Sequence, residues 1–161
     1  MITIRSATPD DLAETAALAA KLVRFHHALD RLRFLTPTDR LEEGYRGFLA
    51  TRLDHDDAVV MVADDDGAIV GYAYGALEDR DWNLLLEAHG AVHDVWVEER
   101  ARRSGVARRL VEALCLRLEE LGAPRIVLAT ATENHDAKRL FASMGFRETM
   151  LEMTREKKSG A

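Results

Sequence analysis

The chain has 161 residues, 47% of them hydrophobic and 31% charged, and carries a formal net charge of −6. That length suits one domain with a buried core, and the composition excludes a disordered or low-complexity chain. The acidic balance argues against nucleic acid as a partner, because a phosphate backbone is bound by clustered cations.

A single cysteine, Cys115, excludes an internal disulfide and a thiolate metal cluster. No apolar run reaches the length of a membrane span, and the segment Met1 to Arg5 lacks the basic-then-apolar layout of a signal peptide. The expectation is a cytoplasmic protein with no membrane partner.

Residues 2 to 6 read as a strand. Thr8-Pro9-Asp10-Asp11 then opens a helix, with a hydroxyl cap, a proline in the first turn and carboxylates on the positive end of the dipole. Leu12, Ala16, Ala19 and Val23 keep one face of it apolar down to about His27. A second helix spans 39–53, with Leu41, Tyr45, Phe48 and Leu49 on one side. From Ala58, "AVVMVA", the turn Asp65-Asp66-Gly67 and "AIVGYAYGAL" predict a β-hairpin. A charged stretch at 78–90 precedes the strand "AVHDVWV" at 91–97.

Val106, Leu110, Val111, Leu114, Leu118 and Leu121 recur at helical spacing over 105–121, and Gly122 with Pro124 stops that helix. Cys115 lies inside this apolar pattern and reads as a structural thiol. "RIVLATA" at 125–131 is a strand covered on both faces. Asn134 caps a short helix with Ala137, Leu140, Phe141 and Met144 on one side, closed by Gly145. "FRETMLEMTRE" predicts a last strand, and 157–161 a frayed tail. The sum is a single α/β domain over 1–156 with a mixed sheet, in which strands 91–97 and 125–131 are parallel across a right-handed helical crossover.

The turn "RRSGVA", Arg102 to Ala107, lies between the carboxyl end of a strand and the amino end of a helix. Backbone N–H groups there lack partners and the helix dipole stands behind them, which suits an anion. Gly105 permits unusual dihedrals or close approach, and Arg102, Arg103 and Arg108 add charge. The turn has neither the Lys-Ser/Thr pair of a P-loop nor the three glycines of a dinucleotide fingerprint.

Arg102-x-x-Gly105-x-Ala107 resembles the acyl-CoA pyrophosphate loop of the GNAT superfamily of N-acetyltransferases, whose pattern is Q/R-x-x-G-x-G/A. Asn134-x-x-Ala137, Leu140-Phe141 and Gly145-Phe146 resemble that family's second signature, and the order of elements fits from the first strand to about Arg155. The resemblance implies a mixed sheet with a splayed central parallel strand pair flanked by helices. It implies acetyl-CoA as acyl donor, no metal, and direct attack of an amine on the thioester. Arg102, Arg103, Ser104, Gly105, Val106, Ala107 and Arg108 would hold the pyrophosphate. Val95, Trp96 and Val97 would line the pantetheine arm, with Asn134 and Phe141 opposite, and the Val97 N–H would polarise the acetyl carbonyl.

A lysine-like amine with a pKa of about 10.4 is mostly protonated at neutral pH, so a base is required. His93 and Asp94 are the first candidates, followed by Glu98 and by water-mediated deprotonation from a more distant carboxylate; strand alternation puts at most one of His93 and Asp94 toward the acceptor, and either also reads as a hydrogen-bonded structural residue. Phe141 stands where the family often has a proton-donating tyrosine, and a phenyl ring cannot donate. His26, His27, Tyr45, Asp79, Asp81, Trp82, Glu87 and His89 fall on the parts that face the acceptor in the family. Carboxylates beside aromatics suit a small cationic amine, polyamine-like or aminoglycoside-like, through charge pairing and cation–π contact. The alternatives are a basic peptide, as in a protein N-terminal or lysine acetyltransferase, a non-catalytic acyl-CoA sensor, and a nucleotide-binding protein using the same turn. An unpaired last strand carrying "TMLEM" predicts a homodimer.

Overall fold

The structure is a computed structural model that describes residues 1–160. Five strands form one sheet in the order β1-β2-β3-β4-β5: β1 Ile2–Ser6, β2 Ala58–Asp65, β3 Ala68–Glu78, β4 His89–Val97 and β5 Ile126–Leu128. Neighbours are antiparallel except β4 and β5, which are parallel. The helices are α1 Leu12–Leu29, α2 Leu41–Leu53, α3 Val106–Glu120 and α4 His135–Ser143. This is the mixed α/β architecture that the sequence pattern predicts, with α3 as the crossover of the parallel pair. No helix among the described residues is long and apolar enough to cross a membrane.

Two cores lie on opposite faces of the sheet. On one, the helical repeat of α3 buries Val106, Leu110, Leu114 and Leu118 against Val59, Val92 and Val97. Each fully buried leucine contributes about 2 kcal/mol. The close approach requires glycine in the strand: a Cβ on Gly75 would lie 2.5 Å from the Ala91 carbonyl oxygen and 3.2 Å from Leu118. On the other face, Leu12, Leu18 and Ala19 of α1 and Leu49 of α2 pack on Val60, Tyr72 and Tyr74.

The start of α1 is pinned electrostatically. Asp11 accepts from the Thr8 N–H and hydroxyl and from the Arg5 guanidinium at 2.8 Å and 2.9 Å, while Arg5 also binds Asp64 at 2.8 Å. The Arg5 guanidinium, with the Thr8 donors, holds the buried Asp11 carboxyl at about 2.

The carboxyl end differs from expectation. β5 covers 126–128 rather than 125–131, and residues 146–160 form no strand. Met150, Leu151 and Met153 are exposed, and the segment is tethered by ion pairs from Glu148 to Lys138 of α4 and from Glu152 to Arg33 between α1 and α2. Alternation in "TMLEM" supplies strand propensity, but a strand also needs a hydrogen-bonding neighbour. Within the sheet β5 has a neighbour on one side only. α4 likewise buries no residue; Phe141 meets Phe146 edge-on at 5.8 Å.

Asp11 titrates below its unfolded value near 3.8, so its contribution is present above about pH 4 and fades as the pH falls toward 2. A shift of that size corresponds to about 2 kcal/mol. Urea titrations of Asp11→Asn are expected to show a loss of that order at pH 7 that shrinks toward pH 2; a loss independent of pH would contradict the assignment.

Candidate active site

The site is organised by one extra residue in β4. Against β3, Asp94 pairs with Tyr74 and Val92 pairs with Gly75, so His93 has no partner and forms a β-bulge. A bulge re-aims the side chains on either side of it. Val92 and Val95 both join the α3 core, three residues apart, while His93 and Asp94 both point to the α1–α2 face. His93 stacks on Tyr74 at 5.3 Å, and Asp94 accepts from the Tyr72 hydroxyl at 3.0 Å. The expectation that only one of the pair faces the acceptor side is thereby corrected.

The same residue switches the backbone. The Gly90 N–H donates toward β5, to Arg125, whereas the Glu98 N–H donates toward β3, to Val70. Simple alternation would send both to one edge. With His93 inserted, the N–H groups of Val95 and Val97 face the β5 side. Pairing with β5 ends at Val92 and Leu128, so β4 runs on to Val97 beside an opening in the sheet, and these amides have no strand partner.

Beyond β4, the anion-suited turn has the geometry its residues require. Arg103 has φ +60 and Gly105 φ +80, and Gly105 is the N-cap of α3. The first intrahelical bond runs from the Arg109 N–H to the Gly105 carbonyl, leaving the amides of Val106, Ala107 and Arg108 without helical acceptors. The Ser104 hydroxyl is turned back to the Ala101 carbonyl at 2.7 Å, and Arg108 reaches Ser143 of α4 at 2.7 Å. Arg102 donates from Nε to the Val97 carbonyl at 2.8 Å and lies 4.7 Å over the Trp96 ring. The Trp96 ring sits on the α1–α2 face, edge-on to Phe25 at 5.6 Å, and its buried Nε1 has no hydrogen-bond partner. On the far side of the opening, the Asn134 side chain caps α4 by accepting from the Ala137 N–H at 3.2 Å.

Asp94 is the charged centre of the α1–α2 face. Burial pushes its carboxyl up, opposed by the Tyr72 hydrogen bond, the charges of His93 and His26, and Tyr45. Burial and the Asp94 charge in turn raise the Tyr45 and Tyr72 hydroxyls. His26 donates from Nδ1 to the Leu22 carbonyl at 2.9 Å. His93 Nε2 lies 2.9 Å from Glu78 Oε1.

Of the expected acceptor residues, His26 and Tyr45 gather around Asp94. His27 is half-buried with its Nδ1 unpartnered, and Asp79 is exposed at the end of β3. His89 is buried at the foot of β4 with Nδ1 bonded to the Glu87 carbonyl. Asp81 caps its own loop, accepting from the N–H groups of Asn83 and Leu84, and Glu87 pairs with Arg80. Trp82 is 76% exposed at the tip of that loop under Arg80. Sequence reasoning missed Tyr72, Tyr74, Glu78, Phe25 and Phe34. The pair of tyrosines two apart in "GYAYG" was a signal for one polar face of β3. The half-buried Cys115 thiol, pushed up to about 11 by desolvation, is unsuited to nucleophilic work.

Unpaired amides beside a break in the sheet, a basic helix N-terminus next to them, and a carboxylate with imidazoles across the strand define a group-transfer enzyme of the acyltransferase kind. The profile of the Acetyltransferase (GNAT) family matches residues 23–146, and the chain belongs to that family. A D-amino-acid N-acetyltransferase of Saccharomyces cerevisiae is 31% identical over 83 residues, 52% of this chain and 50% of the yeast protein, so that match spans about half the length of the relative. An uncharacterized N-acetyltransferase of Bacillus subtilis is 25% identical over 145 residues, 90% of this chain and 89% of its own. Among solved structures, the aminoglycoside N-acetyltransferase AAC(6')-Iy in complex with CoA shares the fold with a TM-score of 0.79 at 18% identity, over 99% of this chain and 96% of that one.

Tyr72→Phe removes a donor that favours the Asp94 carboxylate, so Asp94 is expected to titrate at a higher pH in the variant. Carbon-detected carboxyl titration by NMR reads this directly, and an unchanged midpoint would show that the hydroxyl does not hold the carboxylate.

Proposed function

We propose that the protein transfers an acetyl group from acetyl-CoA to the primary amine of a small cationic molecule, with the donor in the opening beside β4 and the acceptor on the α1–α2 face. The observation that carries this is the bulge at His93, which places unpaired amides and ionisable side chains on two sides of one strand segment. The opening and the turn fit a pyrophosphate-bearing donor, since Val95, Val97, Val106, Ala107 and Arg108 offer free N–H groups and Arg103 and Arg108 offer charge. When bound, acetyl-CoA supplies an activated thioester.

The chain's residues then have distinct tasks. Asp94 seats the ammonium, and His93, backed by Glu78, takes its proton and returns it to solvent. Removing that proton at pH 7 from an amine of pKa about 10.4 costs about 4.6 kcal/mol; the Asp94 carboxylate favours the bound ammonium and adds to that cost, and His93 as base gives the proton a path to solvent. The neutral amine attacks the carbonyl carbon while the Val97 N–H donates to its oxygen; the C–N bond forms, the C–S bond breaks, and the nitrogen's second proton goes to the thiolate. That last transfer needs no proton from Phe141.

Polyamine-like and aminoglycoside-like acceptors are the classes the sequence favours, and the solved neighbours include aminoglycoside acetyltransferases. A protein N-terminus or lysine is the alternative acceptor, and Phe141 motivates an acyl-CoA sensor as the alternative of another class. We also propose a cytoplasmic homodimer. The open edge of β5 and the exposed apolar tail support it; light scattering at micromolar concentration is expected to give twice the chain mass, and a monomer mass would refute it.

Thiol release from acetyl-CoA across amines, amino acids and basic peptides tests the activity. His93→Ala and Asp94→Asn are each expected to lower kcat/KM at pH 7 by about a hundredfold. Gly105→Val, which forces a β-branched residue to φ +80, is expected to raise KM for acetyl-CoA about tenfold with little change in kcat. Stabilisation by CoA without turnover of any acceptor would favour the sensor.

A further inference from the structure

Two runs of aromatic rings converge on Asp94. From the α1 side, the Phe34 ring lies 5.0 Å from His26, His26 lies 5.4 Å from Phe25, and Phe25 lies 5.6 Å from Trp96. From the α2 side, Tyr45 lies 6.2 Å from Phe48, Phe48 5.5 Å from Tyr74, and Tyr74 5.3 Å from His93. The runs end on Trp96 and His93, which flank Asp94 along β4. Tyr74 is buried, but the other rings keep some exposure, Phe48 most clearly.

Three of the rings are capped by cations. Arg33 stands 5.1 Å over Phe34, Arg52 5.5 Å over Phe48 and Arg102 4.7 Å over Trp96. Four further carboxylates already have partners: Asp81 with backbone N–H groups, Glu87 with Arg80, Glu78 with His93 and Glu152 with Arg33. No Lys or Arg among the described residues pairs with Asp94. The surroundings of Asp94 therefore present one half-buried carboxylate, flat apolar walls and guanidinium groups stacked on three of the rings.

A polycation seated at Asp94 would bring its remaining charges against Arg52 and Arg102, like charge upon like, whereas Arg33 is balanced by Glu152. A single ammonium attached to a flat apolar body matches every part: the charge meets Asp94, and the body replaces water between rings that favour edge-on and stacked contacts. We propose that the acceptor is a monocationic primary amine with an aromatic or similarly flat apolar body, preferred over polyamines and polycationic aminoglycosides. The proposal rests on the acyl-transfer reading above and narrows its acceptor.

The test compares 2-phenylethylamine, spermidine and kanamycin, by thiol release from acetyl-CoA and by thermal shift of the CoA-bound protein. The expected result is a kcat/KM for 2-phenylethylamine at least tenfold above both polycations. Phe48→Ala should raise KM for 2-phenylethylamine at least fivefold with a smaller effect on kcat and none on KM for acetyl-CoA. Arg52→Gln should narrow the margin over spermidine, a readout that loss of packing alone would not produce. Spermidine or kanamycin matching 2-phenylethylamine would overturn the proposal and leave acetyl transfer standing. If no amine is acetylated, acyl transfer is what fails, and thermal shift decides the binding class: stabilisation by 2-phenylethylamine alone upholds it, and stabilisation by a polycation or by none overturns it.

Discussion

The insertion of His93 into β4 is the constraint on which the rest of the site depends. A strand has two faces and two edges, and alternation ties them together, so a residue whose side chain faces one core has its amide committed to a given edge. One extra residue breaks that tie. It lets Val92 and Val95 both serve the α3 core while His93 and Asp94 both serve the opposite face, and it turns the amides of Val95 and Val97 away from β3. A regular strand would have put His93 and Asp94 on opposite faces and could not have set both beside the free amides.

Much of the remaining fold holds that segment of β4 still. Packing of α3 against the sheet, with Gly75 where α3 and β4 come nearest, fixes one face. Arg102 ties the end of β4 to the turn that follows by bonding the Val97 carbonyl and covering Trp96. The Arg5–Asp11–Asp64 cluster anchors α1, whose far end carries Phe25 and His26 to Asp94. Preorganised donors act strongly because no reorganisation accompanies the reaction.

What the sequence made legible follows from how local each signal is. The cap of α4, the Asp-Gly hairpin and the apolar repeat of α3 are written within a few residues, and each appears as expected; Thr8 instead opens a short 3-10 turn ahead of α1 and donates its hydroxyl to Asp11. The bulge has a fainter trace, two adjacent polar residues between Val92 and Val95 in "AVHDVWV", which reads as a regular strand unless both valines are known to share one core. The final strand failed for the opposite reason: the local pattern of "TMLEM" is strand-like, but pairing is a long-range property and β5 offers it no contact. The carboxylates of the β3–β4 loop look like ligand-binding groups in sequence. Whether Asp81 binds a ligand or its own backbone is decided by the turn it sits in.

Amide hydrogen exchange with and without CoA tests the central claim most directly, because that claim concerns the direction of particular N–H groups. The account predicts slowed exchange at Val95 and Val97 of β4 and at Val106 to Arg108 of α3, with little change at Ala91 and Trp96, whose amides face β3. Protection that spares Val95 and Val97, or that falls equally on both edges of β4, would contradict it.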